Sequence, residues 1–308
     1  MNPAEMIAEA ESTPDRQRMF GSFIRSGTNT LFFSQTNYGK SILAFQIAFH
    51  ISKGTSIADS DTFINESNPK KVLYYDAELD AKTFHVRYAG ALKQLDEDYF
   101  KYVLEKDTGK ILMGTELIHE LNRIAEEFGA EFIILDNMSK ILPDSLDAKQ
   151  TTEIIDLLRQ SRVRTGADWL VIGHTKKTNA KECIKLTDYH GTSMIQNFFL
   201  EIFYLDETND GRFLLRHAKC KHVDAHIKNV PVLNRKIIDG YGLGFEFEEM
   251  EDYENIKKPD FITQEVNRKV IKEYEKEIKL LKINGIRVKR ISELLNCSRN
   301  TIHKILKN

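Results

Sequence analysis

Apolar positions along the chain follow two periods. Residues 31–33, 71–78, 132–136 and 168–175 each contain a short unbroken apolar run, which predicts buried strands. Ile42, Leu43, Phe45, Ile47 and Ala48 recur at helical spacing, and residues 80–92, 115–127 and 149–163 also read as helices. Residues 99–104 add a strand. Strands alternating with helices predict an α/β fold with a mainly parallel sheet and right-handed crossovers. Ligands bind such sheets at the carboxyl ends of the strands. Beyond residue 198 the pattern changes. Segments 198–205 and 212–217 are strand-like and are joined by Glu207-Thr-Asn-Asp-Gly, a hairpin signal, with β-like segments continuing to 247. Residues 3–11 predict a helix. Residues 54–69, rich in Asp, Ser and Asn, read as a surface insertion. Six acids within 246–254, followed by Lys257-Lys258-Pro259, mark a boundary. The expected division is an N-terminal arm (1–19), an α/β core (20–247), an acidic linker (248–261) and a tail (262–308).

The strongest chemical signal lies between the first strand and its helix. Residues 34–41 read Ser-x-x-x-x-Gly-Lys-Ser, a phosphate-binding loop apart from its first residue. Such a loop turns the backbone N–H groups of Ser34, Gln35, Thr36, Asn37, Tyr38 and Gly39 toward one anion. The helix start at Lys40, Ser41 and Ile42 adds the positive end of its dipole. Gly39 admits the anion without a side chain in the way. Lys40 supplies a mobile charge for the terminal phosphates and Ser41 a hydroxyl for Mg²⁺. Ser34 stands where a glycine is usual, and its Cβ points to a reshaped loop and slower chemistry.

Other candidates end the core strands. Asp136 follows four apolar residues, the position of an acid near Mg²⁺ in phosphate-loop enzymes, so Ser41 and Asp136 are the metal candidates. Glu78 is the candidate to orient or deprotonate the attacking water. Asp76 on the same strand is its neighbour and rival. His174 and Thr175 are placed to bond the terminal phosphate or its water, and a satisfied core histidine is the competing reading. The loop that follows carries Lys176 and Lys177 and reads either as a tracker of a nucleic-acid backbone or as solvated surface. Lys219 and Lys221 lie just past the hairpin strand and alternate onto one side, within reach of a neighbouring subunit's nucleotide. Arg216 is second choice, and a charged sheet edge is the competing reading.

Composition sharpens this. A length of 308 residues accommodates one large domain and a small one, and the net charge of −2 conceals an asymmetry. Residues 262–308 hold twelve Lys/Arg against five Asp/Glu, or +7, which leaves −9 for the rest. Within this tail, residues 271–283, 288–295 and 299–306 read as three short helices broken at Asn284-Gly285 and Cys297-Ser298. Ile291, Leu294, Leu295, Ile302, Ile305 and Leu306 face inward. Helix, turn and helix with a basic excess points to duplex DNA in the major groove; a small bundle for protein contacts is the alternative. Cys183, Cys220 and Cys297 lie far apart and read as reduced thiols in a cytoplasmic protein. No secretory signal or membrane-length apolar run is present, so no membrane partner is expected.

The motif order Ser34 to Ser41, Asp76-Ala-Glu78, Ile133 to Asp136, His174-Thr175 and Lys219-Cys-Lys221 resembles the RecA-like P-loop NTPases. It is most similar to the RepA-type hexameric helicases among the AAA-type ATPases of plasmids and mobile elements. The resemblance covers 20–247. It implies a homo-oligomeric ring, usually hexameric, with ATP and Mg²⁺ at subunit interfaces and central loops that move along single-stranded DNA. It also implies that Glu78 is the catalytic carboxylate and that Lys219 and Lys221 act across the interface. The tail resembles the resolvase-type helix-turn-helix, in which Arg299, Asn300, Thr301, His303 and Lys304 would meet phosphates and base edges. The function expected is an ATP-driven motor on DNA in replication, mobilisation or recombination. The alternative is a slowly hydrolysing, nucleotide-gated DNA-binding regulator or loader. A nucleotide kinase fits less well with the acid-rich strand end and the tail.

Overall fold

Successive residues of each core strand feed opposite faces of one sheet, and both faces are apolar. In the computed structural model, β3 (Thr30–Ser34), β4 (Val72–Asp76), β6 (Phe132–Asp136) and β7 (Asp168–His174) are buried almost throughout. The structure describes all residues except 1, 59, 110, 143–147, 177–182, 190–192, 222–227, 258–274, 276–277, 296–301, 304 and 307–308. It divides into two units, Met1–Lys258 and Pro259–Asn308.

In the first unit nine strands form one sheet in the order β11-β10-β9-β8-β3-β7-β6-β4-β5. β5 is Phe100–Leu104, β8 Glu201–Glu207, β9 Phe213–Cys220, β10 Asn229–Ile238 and β11 Gly242–Asp252. Strands from β5 to β8 run parallel, and β8 to β11 antiparallel. Arg18–Phe20 (β1) and Ile24–Arg25 (β2) pair as a separate ribbon. Leu31, Phe33, Tyr75, Leu135 and Trp169 pack on one face with Leu117 and Leu121 of α4 (Gly114–Phe128) and Leu158 of α5 (Ala148–Thr165). Phe32, Tyr74, Ile134 and Ile172 pack on the other with Phe45 of α2 (Lys40–Lys53) and with Phe84 and Tyr88 of α3 (Ala81–Leu92). Helix α2 is apolar nearly all round because helix, sheet and the β10–β11 hairpin enclose it. Gln46 fixes that hairpin: its amide donates to the Phe245 carbonyl and accepts from the Phe245 N–H, both at 2.8 Å.

Three expected boundaries differ. Residues 54–69 are not simply surface, because Phe63 is buried and stacks on Phe20 at 4.8 Å. Residues 248–256 are not linker: they continue β11 and form α7 (Tyr253–Ile256). The acids there are tolerated because Arg212 pairs with Glu248 and Glu251 at 3.2 and 2.6 Å. Arg18 and Met19, assigned to the arm, belong to the ribbon. Among the described residues no helix is long and apolar enough to cross a membrane.

In the second unit the helix Val288–Leu294 and the helical residues 278–283, 302–303 and 305–306 surround Ile278, Ile291, Ile302 and Ile305, all buried. Leu294, expected inside, is 54% exposed, whereas Leu295, one turn after Ile291 and also expected inside, does pack there. His303 is exposed, and Arg299, Asn300, Thr301 and Lys304 lie outside the described residues.

His50 gives the first unit a pH dependence. Burial first, then the charge of Lys53, lowers its pKa to about 4 from 6.5. The folded value is the lower one, so the unfolded chain takes up the proton first. Stability is full above 6.5 and declines as pH falls toward 4. Urea midpoints at pH 7 and pH 5 should drop less in His50→Gln than in the native chain; equal drops would remove His50 as the cause.

Candidate functional site

Parallel register brings the strand ends to one edge. Ser34 lies opposite His174, Asp136 opposite Ile172, and Asp76 opposite Asp136. The loop 35–38 leaves β3 at this edge and enters α2 through Gly39, whose φ of 97° favours glycine. A Cβ on Gly39 would come within 2.9 Å of the Phe245 ring and 3.3 Å of Arg235 Nη1. Asn37 has a φ of 69°, which an Asn tolerates. Ser34 closes β3 and is fully buried, with its hydroxyl donating to the Gln35 carbonyl at 3.2 Å. It is not among the positive-φ residues, so its Cβ is accommodated without backbone strain.

The loop faces a pocket of about 430 Å³ lined by Thr36, Asn37, Gly39, Lys40, Ser41, Ile42, Asp76, Glu78, Leu79, Arg87, His174, Arg235 and Leu243. Lys40 is 6% exposed. Burial lowers its proton affinity, and the charges of Asp136 and Glu78 oppose that shift. Asp136 is buried, and its carboxyl is pushed up to about 7, chiefly by burial and then by the charge of Asp76, against the pull of Ser41 and Lys40. The Tyr74 hydroxyl donates to Asp136 Oδ2 at 3.2 Å, while Oδ1 is buried with no hydrogen-bond partner among the described residues. A buried, unsatisfied carboxylate oxygen close to a hydroxyl is the donor set a hard divalent cation takes, so Ser41 and Asp136 fit Mg²⁺.

The two strand-end acids have different jobs. Asp76 is buried and accepts the N–H groups of Glu78 and Leu79 at 2.7 and 2.9 Å and the Tyr102 hydroxyl at 2.8 Å. It holds the turn that presents Glu78. The Glu78 side chain is half exposed and meets Asn137 and His174: Asn137 Nδ2 donates to its Oε1, and His174 Nε2 stands 3.5 Å from the same oxygen. Its carboxyl is held below the usual range, first by His174 and against burial, with the charge of Lys40 assisting. Asn137 is itself fixed by Ser139, whose N–H and hydroxyl donate to Oδ1.

Asn137, Arg87 and Arg235 escaped the sequence reading. Asn137 had a signal, since it directly follows the strand-end acid. Arg235 had none: it comes from β10 and donates to the Asn37 carbonyl at 2.8 Å while covering the Phe213 ring. Thr175 forms a bridge with Tyr189, and the Lys176 side chain is exposed; Lys177 lies outside the described residues. The hairpin strand β9 extends past its expected end at His217 to Cys220, so Lys219 lies inside it. Lys219 Nζ donates to the carbonyls of Gln196 and Phe199 at 2.6 and 2.8 Å. A bulge at Ala218 precedes both lysines, β9 ends at Cys220, and Lys221 is exposed just beyond the strand. Arg216 lies 3.7 Å over the Tyr253 ring.

Comparison with known proteins bears on the same elements. Residues 2–180 match the family described as AAA domain. No curated protein matches. Among solved structures, a KaiC-like protein from the hyperthermophilic archaeon Pyrococcus horikoshii aligns at 12% identity with a TM-score of 0.47, covering 72% of this chain and 91% of that one. The family match takes in more than half of the chain, including Lys40, Glu78, Asp136 and His174, and on that ground this chain belongs to the AAA domain family of P-loop ATPases.

Proposed function

We propose that this ATPase is a RecA-like motor that acts on DNA, with the RepA-type helicases as a mechanistic analogue. The observation that carries the reading is Glu78, held by Asn137 beside His174 and facing Lys40 within one pocket. The loop N–H groups and Lys40 bind the terminal phosphates. Ser41 and Asp136 would hold Mg²⁺, which supplies charge neutralisation at the β- and γ-phosphates. Glu78, ionised at neutral pH, orients the attacking water and takes its proton, while Asn137 and His174 fix the carboxylate's direction. His174 ends β7 and is followed at once by the basic loop with Lys176 and Lys177. This continuity supports a relay from nucleotide state to single-stranded DNA.

The chain works as a homo-oligomeric ring, a hexamer by analogy, with Lys221 reaching the neighbour's nucleotide. Lys219 braces the end of α6 (Ser193–Phe198) within its own subunit. The tail's +7 charge supports duplex binding by a helix-turn-helix through residues 299–304. The test is strand displacement on forked DNA with ATP, paired with mass in solution with and without ATP and single-stranded DNA. Assembly into a ring, DNA-stimulated turnover and displacement are expected. DNA binding with turnover but no displacement would instead identify a nucleotide-gated regulator or loader. A strict monomer under all conditions would remove the role of Lys221.

A further inference from the structure

A second cluster of chemically capable side chains lies on the β8–β9 pair. In a regular strand His217 and Cys220, three residues apart, would point to opposite faces. The register of β9 against β8 shifts here: Ile202 lies opposite Lys219 but Phe203 opposite His217, so Ala218 is the extra residue. Bulges of this kind re-aim side chains. The result places a ring nitrogen of His217, the Cys220 sulfur and a carboxylate oxygen of Glu201 within 4.8 Å of one another. Glu201 is fully buried, His217 is 6% exposed and Cys220 is half-buried. The His217 ring stacks on Phe23 at 4.4 Å, and its Nε2 lies 3.0 Å from the Ser22 hydroxyl. Its Nδ1 is buried with no hydrogen-bond partner among the described residues.

We propose that Glu201, His217 and Cys220 form a divalent metal site, with Zn²⁺ as the cation of best fit. A thiolate, an imidazole and a carboxylate together select a borderline-soft ion over Mg²⁺ or Ca²⁺. Cys220 binds as the thiolate and releases its proton to solvent. Glu201 binds as the carboxylate and His217 as the neutral ring. The ligand charge of −2 then matches the ion, and water completes the tetrahedron. The Ser22 hydroxyl at Nε2 plays the orienting part that outer hydrogen bonds play around metal-bound histidines. Through Ser22 and Phe23 the ion ties the β1–β2 ribbon to the base of the hairpin. The competing arrangement is metal-free: the Cys220 thiol hydrogen-bonds Glu201, and the charge of Arg25, which acts on both Glu201 and His217, assists the buried carboxylate.

The full chain, stripped with a chelator and dialysed against Zn²⁺, should retain one equivalent by elemental analysis. It should also show a thiolate-to-metal charge-transfer band with Co²⁺. Cys220→Ser and His217→Gln should lose the equivalent and the band, while Cys183→Ser and Cys297→Ser keep both. A native chain that binds no Zn²⁺ and gives no Co²⁺ band overturns the site in favour of the metal-free arrangement. Equal binding by Cys220→Ser and Cys183→Ser overturns it as well. The Co²⁺ band, read on the native chain, does not depend on any variant folding.

Discussion

Glu78→Gln is expected to leave nucleotide binding intact and to slow hydrolysis by about 10²–10⁴-fold, the usual worth of a positioned general base. The substitution keeps the shape of the side chain and an oxygen that still accepts from Asn137. What disappears is the negative charge that draws the water's proton. Because His174, Lys40 and Asn137 hold the native carboxyl below its usual range, it is already ionised across the neutral region, and raising pH cannot compensate for the variant. Titration with a fluorescent nucleotide and steady-state phosphate release separate the two effects. Native-like release would remove Glu78 from the chemistry and return attention to Asp76. The geometry argues against Asp76, since both of its oxygens are committed, to the turn N–H groups and to Tyr102.

That distinction illustrates where sequence reasoning stops. The phosphate loop, the strand-end Asp136 and the alternation of strands and helices were legible because each is a local pattern: an apolar run, a turn, a helical period. Strand alternation put Asp76 and Glu78 on one face, and both do line one pocket, but by a different route. The strand ends at Asp76, so Glu78 follows turn geometry rather than the pleat. The same limit recurs at β9, which ends at Cys220, so Lys221 lies beyond the pleat on which alternation with Lys219 was read. The acid-rich stretch after residue 246 looked like a linker because charge was read without its partner. Arg212, more than thirty residues earlier, supplies the pairing that makes a strand there tolerable. Arg235 was invisible for a related reason. Its contact with the phosphate loop spans 198 residues and depends on how Gln46 pins the last hairpin onto α2. Contacts of that kind are set by the fold, and no window of sequence contains them.

Lys40→Ala is expected to abolish measurable ATP turnover and to weaken nucleotide binding by roughly 10–150-fold, the loss of one charge-assisted hydrogen bond of about 1.5–3 kcal/mol. The harder question is whether the variant folds. Lys40 is nearly buried and its charge acts on the buried Asp136, and leaving a buried charge uncompensated ordinarily costs about 3–5 kcal/mol. Asp136 escapes most of that penalty because its carboxyl already sits at about 7, against 3.8 for the free side chain. Without Lys40 it moves higher and takes up a proton instead of remaining as an uncompensated charge. A folded value above the unfolded one means that the associated stability is complete below about 3.8 and is lost as pH rises through the folded value. The variant should therefore melt closer to the native chain at pH 6 than at pH 8. Native-like hydrolysis would sink the phosphate-loop assignment, and a melting deficit independent of pH would show that Asp136 does not take up the proton. If the deficit narrows at pH 6 while turnover stays absent at both values, Lys40 acts on the phosphates, and the inactivity is not a symptom of misfolding.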